Sequence, residues 1–365
     1  MSSYNNFEKM SNDERLQQPK SFAKMTQPER DVTYREFMKK NPFEDLEKKR
    51  DLKTTATPIP NCFTPPTFVK TDVDGWKAFL EKEGYVVIKD MIDGPQIEEL
   101  FDQFKKDWTD VSPKFDFGDK TTWGIENTPM MYNKGVAVFT GFGNSELMWK
   151  LRLNSDIQSL FKHIHRTDDL VVSLDGFSVF LSSKQKSNPW LHVDQHPTNP
   201  IYSVQGAYNF NAVSADDAGF VVVPGSHNTF VPPPTKTNKD WIVVDPEAFG
   251  KVAVKLCIPE NCFTFWNSKL IHANTGITKK KKTPEFNRLT AYIAYLPKTL
   301  RDDATRKQRI QAYLDSQTTS HWANKCQIKR YPWGFGPRFE TRGFIPLKAS
   351  LTDDGKIPEE RLKLL

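Results

Sequence analysis

Two rhythms of apolar residues divide the chain near residue 170. Before it, apolar side chains recur every three to four positions in DGWKAFLEKEG, GPQIEELFDQFKKDW and SELMWKLRLNSDIQSLFKHI. That spacing lays them along one face of an α-helix. The first of these segments stops at Gly84 and runs into YVVIK, a short apolar run of strand type. From Leu170 the rhythm becomes that of β-structure. LVVSLDGFSVFLSS, PWLHVDQ, SVQGAYNFNAV, GFVVVPGS, KVAVKLCI, CFTFWNS, LIHANTG and LTAYIAYL are short and separated by turn residues. Many short strands at intervals mark a sandwich or barrel. The expected fold class is therefore mainly β with flanking helices.

The remaining segments set the domain plan. Residues 1–56 read as a polar, charged arm with two short helices, one from Pro28 and one capped by Asn41 with Pro42 at its first position. Residues 57–72 open with four prolines in TPIPNCFTPPTF, the mark of an extended linker. The folded domain is expected over 73–300. Residues 301–365 form a basic extension with one helix, TRKQRIQAYLDSQTT, and an irregular tail, YPWGFGPRFETRGFIP.

Composition narrows the class. Hydrophobic residues make up 38% and aromatics 12%, enough for a core, so disorder throughout is excluded. No apolar run approaches the roughly 20 residues of a membrane span. The first residues, MSSYNNFEKMSNDERLQQPK, hold no apolar stretch of signal-peptide type. The four cysteines, Cys62, Cys257, Cys262 and Cys326, form no C-x-x-C pair. They are expected as reduced thiols in an intracellular, cytoplasmic protein, with no disulfide and no zinc. The net charge is +6, and Lys279–Ile345 carries 15 Lys+Arg against 5 Asp+Glu. This basic surplus reads as a solvated face or as an attraction for an anionic substrate.

Candidate chemistry sits on the strands. His192 and Asp194 form H-x-D in WLHVDQ, and alternate residues of a strand share a face. His272 follows 80 residues later in another strand segment. Two imidazoles and one carboxylate match the facial triad of non-haem Fe(II) oxygenases, which leaves positions open for cosubstrate and dioxygen. Arg288 opens RLTAYIAYL and Thr290 shares its face. A guanidinium fork beside a hydroxyl suits the distal carboxylate of 2-oxoglutarate. Of the other histidines, His227 reads as part of a Pro-Gly-Ser turn, His196 as a loop or substrate-side residue, and His321 as packed in the tail. Trp190 and Trp266 read as core. Trp123, Met130, Met131, Tyr132 and Phe142 are candidates for a substrate-pocket lining or for ordinary core.

These motifs carry a resemblance. EKEGYVVIKDMI, WLHVDQ, GFVVVPGSH, FTFWNSKLIHAN and the Arg288 segment resemble, in order and spacing, the phytanoyl-CoA dioxygenase-like family of Fe(II)/2-oxoglutarate oxygenases, over about residues 73–300. ELMWKLRLNSDIQSLF, DLVVSLDG and TTSHWANKCQIKRYP are similar to a subgroup found in large DNA viruses and in eukaryotes. The resemblance implies a double-stranded β-helix, a cupin-like jelly roll with helices packed on one sheet. It implies His192, Asp194 and His272 as iron ligands, and Arg288 with Thr290 on 2-oxoglutarate. Gln205 and Asn209, on the strand after H-x-D, are implied as further cosubstrate contacts. Iron(II), 2-oxoglutarate and dioxygen are the implied cofactors. Asp194 points to hydroxylation, or to another oxidation started by hydrogen abstraction, because related halogenases lack the carboxylate. The stretch TKKKKTPEFN lengthens the gap from His272 to Arg288 relative to the family.

Three functions follow as expectations. The first is a dioxygenase hydroxylating a small or lipid-like, possibly anionic substrate such as an acyl compound. The second is an oxygenase modifying a nucleobase or a protein side chain, with KRYPWGFGPRFETR as the nucleic-acid contact. The third is a non-catalytic jelly-roll binding protein.

Overall fold

The computed structural model describes residues 61–124, 127–129, 131, 135–138, 140–181, 190–232, 239–277, 283–329 and 345–365. All of them belong to one compact unit, residues 57–330 and 342–365. The helices expected near Pro28 and Asn41, the lysines 279–282 and the tail from Arg330 to Phe344 lie outside the described residues.

Eight strands build the core: β1 (Phe177–Leu181), β2 (His192–Val193), β3 (Val204–Asn209), β4 (Gly219–Val222), β5 (Val254–Leu256), β6 (Cys262–Asn267), β7 (His272–Thr275) and β8 (Phe286–Ile293). They alternate between two sheets, except that β4 and β5 pair within one. One sheet carries β6-β3-β8-β1 in that spatial order and the other β5-β4-β7-β2. The core pairs within both sheets are antiparallel. This order is that of a double-stranded β-helix, the jelly roll expected from the sequence. Each sheet is widened at both ends. Asn61–Phe63 and Ile242–Val243 flank the β5-to-β2 sheet; Thr67–Val69, Tyr85–Lys89 and Val136–Ala137 flank the other.

Helices cover the outer face of the β1-containing sheet. α1 (Val73–Glu83) starts where the Asp72 side chain accepts from Gly75 N and ends at Gly84, whose φ is 80°. Glycine is required there twice over: a Cβ would also lie 2.5 Å from the His227 ring. α2 (Gly94–Val111) buries Leu100, Phe104, Trp108 and Val111. The helical rhythm of residues 145–164 resolves into two helices, α3 (Glu146–Leu153) and α4 (Ser155–His165). Asn154 interrupts it by capping α4, its side chain accepting from Asp156 N and Ile157 N. These helices pack with the outward residues of that sheet, including Val86, Ile88, Phe263, Phe265, Ala291 and Ile293, into the main core. α5 (Asp303–Leu314) anchors the C-terminal extension. Its buried Arg309 donates to the carbonyls of Lys325 and Val172.

Three expectations change. The Pro-rich stretch is not a free linker from residue 61 on: Asn61–Phe63 pairs in parallel with β5, and Thr67–Val69 with Tyr85–Lys89. Pro65 and Pro66 lie between these short strands, where no ladder donor is needed. The first pairing also overturns the expectation of four reduced thiols. It brings the Cα atoms of Cys62 and Cys257 to 6.4 Å, and the two are joined by a disulfide across 195 residues. Cys262 and Cys326 are free. Third, Trp123 and Phe142 belong to the helix-side core, with Met131 packed against it. They do not line the interior of the β-barrel, and Met130 and Tyr132 fall outside the described residues.

Two measurements follow. Closing so long a loop stabilises the fold by about 2–4 kcal/mol, so Cys62→Ser should lower the urea midpoint, and reduced wild type should match the variant. A midpoint insensitive to reductant would refute this. The second concerns His165, which burial presses to about 4 although its Nε2 donates to Tyr295 O at 2.9 Å. The folded chain keeps it neutral, while the unfolded chain binds a proton below about pH 6.5. Its stability contribution is complete above that pH and lost as pH falls toward 4. At pH 5 the loss is about 1 kcal/mol after allowing for partial exposure. His165→Gln retains an N–H for Tyr295 and should lose less stability between pH 7 and 5 than wild type.

Candidate metal centre

The antiparallel ladder sets His272 of β7 directly opposite His192 of β2. Their rings lie 4.4 Å apart. Asp194, two residues beyond His192, turns its carboxylate between them. Its Oδ1 is 3.6 Å from His192 Nε2 and its Oδ2 is 3.2 Å from His272 Nε2. One ligand atom from each of the three lies within 4.8 Å of the others, and among the described residues no other such group of His, Cys, Asp or Glu occurs.

The surrounding bonds decide the protonation. Each imidazole places Nδ1 2.9 Å from a carbonyl two residues back, Trp190 O for His192 and Leu270 O for His272. A carbonyl only accepts, so Nδ1 carries the proton and Nε2 presents a lone pair. Burial, reinforced by the neighbouring His272, holds His192 down to about 4, so it is neutral at physiological pH. Burial works against the charge on Asp194, and the Gln205 amide, donating to its Oδ2 at 2.9 Å, supports it. Two lone pairs therefore face an anion in a buried site. They repel unless a cation lies between them, and that donor set, N₂O with one charge, fits a divalent transition metal.

Gln205, on β3, donates to Asp194 Oδ2 at 2.9 Å and also approaches Ser268 Oγ at 3.3 Å. Asp194 N donates to Ser268 O. The side chain expected on a cosubstrate thus holds the carboxylate in place. Asn209, four residues on, sits in a different network. Its Oδ1 accepts from Thr290 Oγ1 at 3.2 Å, and Thr290 Oγ1 accepts from Arg288 Nε at 3.1 Å. Arg288 Nη1 donates to Asn274 Oδ1 at 2.7 Å, and Asn274 is two residues from His272 on the same face of β7. A register shift in β8 between Phe286 and Arg288 sets the aim of this side chain.

Arg288 is 2% exposed. Burial draws it below the usual arginine range, opposed by Tyr292. Among the described residues no carboxylate pairs with it; its partners are neutral. It lines a small cavity with Asn209, Phe220, Thr264, Trp266 and Tyr292. Phe220 and Trp266 each lie 5.7 Å from the His272 ring, so the wall of this cavity reaches toward the triad. The Trp266 indole N–H has no hydrogen-bond partner among the described residues. A buried guanidinium and an orphan donor call for an anion.

Two residues near the triad were not legible as such. His321, expected as a packed tail residue, is brought in by the C-terminal extension. Thr319 N donates to Leu174 O, and Thr319 Oγ1 accepts from Leu174 N. The His321 Nε2 has no partner among the described residues, and burial lowers the residue to about 4 despite the field of Asp194. Asp175, in DLVVSLDG, is pushed up to about 6 by burial, with Asp194 adding repulsion. His227 is far from this chemistry in function: its Nε2 donates to Glu81 O at the end of α1. His196 Nδ1 accepts from Thr198.

No family model matches the chain. The Ava biosynthesis cluster protein O of Aspergillus versicolor is 26% identical over 172 residues, 46% of this chain and 54% of that protein. The chain therefore spans about half the length of the curated relative it matches. Among solved structures, the epimerase SnoN in complex with Fe3+, alpha ketoglutarate and nogalamycin RO is 15% identical, with a TM-score of 0.43 over 62% of this chain and 84% of that one. EvdMO1 is 14% identical, with a TM-score of 0.44 over 61% and 49%. The non-heme alpha ketoglutarate dependent carbocyclase SnoK is 13% identical, with a TM-score of 0.39 over 63% and 86%. The fold assignment rests on the strand order above.

Removing the Gln205 amide leaves one Asp194 oxygen free to turn. Gln205→Leu should weaken Fe(II) or Mn(II) binding about 10–100-fold while the urea midpoint stays within about 1 kcal/mol. Unchanged metal affinity would show that Asp194 is held by its backbone alone.

Proposed function

We propose that this chain is an Fe(II)- and 2-oxoglutarate-dependent oxygenase acting on a small molecule. The observation that carries the reading is the pairing of two incomplete charges inside one barrel. At one end an anionic triad needs a cation; at the other Arg288, which pairs with no carboxylate among the described residues, needs an anion. A metal-chelating dicarboxylate satisfies both at once. The ordered motifs support placement among the phytanoyl-CoA dioxygenase-like oxygenases. The likeness to a protein of a fungal biosynthesis cluster is in keeping with a small substrate.

His192 Nε2, His272 Nε2 and an Asp194 oxygen would hold the iron. Bound there, iron supplies the oxidative decarboxylation of 2-oxoglutarate by dioxygen, coupled to oxidation of a substrate C–H bond. The chain does the rest. The Trp190 and Leu270 carbonyls fix the imidazole tautomers, and Gln205 fixes the carboxylate. Arg288, braced by Asn274 and Thr290, would receive the distal carboxylate in a fork, with Asn209 orienting Thr290. The Trp266 N–H would supply a further donor. Phe220, Trp266 and Tyr292 exclude water from the cavity, which strengthens each of these contacts. With Asp194 in place the expected outcome is hydroxylation.

Anaerobic titration of Fe(II) and then 2-oxoglutarate tests this through the weak visible charge-transfer band of the chelate. Wild type should develop the band and Asp194→Ala should not. Arg288→Ala should still bind Fe(II) but require at least about 100-fold more 2-oxoglutarate. Wild-type protein without iron affinity would overturn the reading in favour of a non-catalytic binding protein.

A further inference from the structure

The open side of the triad is bounded by exposed apolar surface. The edge strand Ile242–Val243 pairs antiparallel with β2, Val243 opposite His192 and Ile242 opposite Val193. One step further, Trp241 falls opposite Asp194. Side chains alternate along strands, so Trp241 and Val243 lie on the same face as His192 and Asp194. Ring positions agree: the Trp241 indole is 6.1 Å from the His192 imidazole. On the other side Trp190 stacks on His192 at 4.3 Å, with ring planes 4° apart.

Exposure sets Trp241 apart. His192 and His272 are 4% and 5% exposed, yet Trp241 beside them is 45% exposed and Val243 41%. A large aromatic surface left in water next to a buried polar site marks a place where a ligand lies. The shelf is also held firmly. Asp240, the preceding residue, accepts from Asn199 Nδ2 at 2.8 Å and pairs with Lys325 Nζ at 2.9 Å. The Lys325 ammonium in turn sits 4.3 Å above the Trp322 ring. A rigid indole presented on a sheet edge favours a rigid, flat partner over a flexible chain, because little freedom is lost on stacking.

We propose that Trp241 and Val243 form the shelf that receives the substrate, and that the substrate is a small molecule with a flat, apolar ring system. This deepens the oxygenase reading and rests on it for the word substrate. Trp190 is a positioning residue here: it holds His192 by its carbonyl and its ring, while Trp241 touches the ligand.

The test uses the full chain with 2-naphthol as the flat probe and 1-decanol, of equal carbon count, as the flexible one. Equilibrium dialysis is run with and without anaerobic Fe(II) and 2-oxoglutarate. Wild type should bind 2-naphthol saturably and at least about tenfold more tightly than 1-decanol. Trp241→Ala should lose at least about tenfold, Trp241→Phe no more than about threefold, and the charge-transfer band should be unchanged in both. Preserved bands with 2-naphthol binding absent, or equal in wild type and Trp241→Ala, overturn the shelf. So does tighter binding of 1-decanol. Absence of the band in wild type defeats the oxygenase reading instead. Trp241-dependent 2-naphthol binding to the metal-free chain would then still support an aromatic-ring site, and its absence there would overturn that too.

Discussion

A single backbone pairing carries the site: His192 lies opposite His272 where β2 meets β7. β2 is only two residues long, so this contact does not come from an extended ladder. It comes from the bonds on either side, above all Asp194 N to Ser268 O and Val244 N to Leu191 O. A slip of β2 by one residue would turn His192 out of the barrel and bring Val193 in. The apolar cluster on the outer face, which contains Val193 with Leu191, Val221, Val223, Ile271 and Ala273, opposes that slip. Packing outside the barrel thus fixes coordination geometry inside it.

The same interior holds two charges that meet no full counter-charge among the described residues. Asp194 is surrounded by imidazoles and an amide, and Arg288 by an amide and a hydroxyl. Burying a charge without a counter-charge costs several kcal/mol. The flanking core supplies the compensation. Trp76, Trp108 and Trp149 are fully buried there, and the aromatic cluster around Phe104, Phe115 and Phe286 is continuous.

The barrel and its triad were legible because they obey local rules. Alternation identified the strands, and H-x-D on a strand places two side chains on one face. The second imidazole and Arg288 were found by type and order. What escaped the sequence depends on contacts between distant segments. The Cys62–Cys257 bond needs a parallel pairing across 195 residues. Gln205 was placed on the correct face, but only the turn of Asp194 toward β3 shows that the amide meets the carboxylate. Trp190 read as core, yet its ring lies flat on a candidate ligand. His321 arrives at the site through a hydrogen-bonded connection between Thr319 and Leu174 that no periodicity announces.

The helices cover one sheet and leave the other to short strands of two to four residues. Mechanical strength and chemical variation are thereby assigned to different halves of the molecule. Arg288, Thr290 and Asn209 ride on the long strands β8 and β3, beneath the helices, and Asn274 reaches Arg288 from β7. Trp241 and Val243 ride on a two-residue edge strand, held to the rest by Asp240. Substitutions on that edge disturb few neighbours, while substitutions beneath the helices disturb many. Under the proposed function, the shelf could therefore be reshaped for a different ring system without disturbing the Arg288 network beneath the helices.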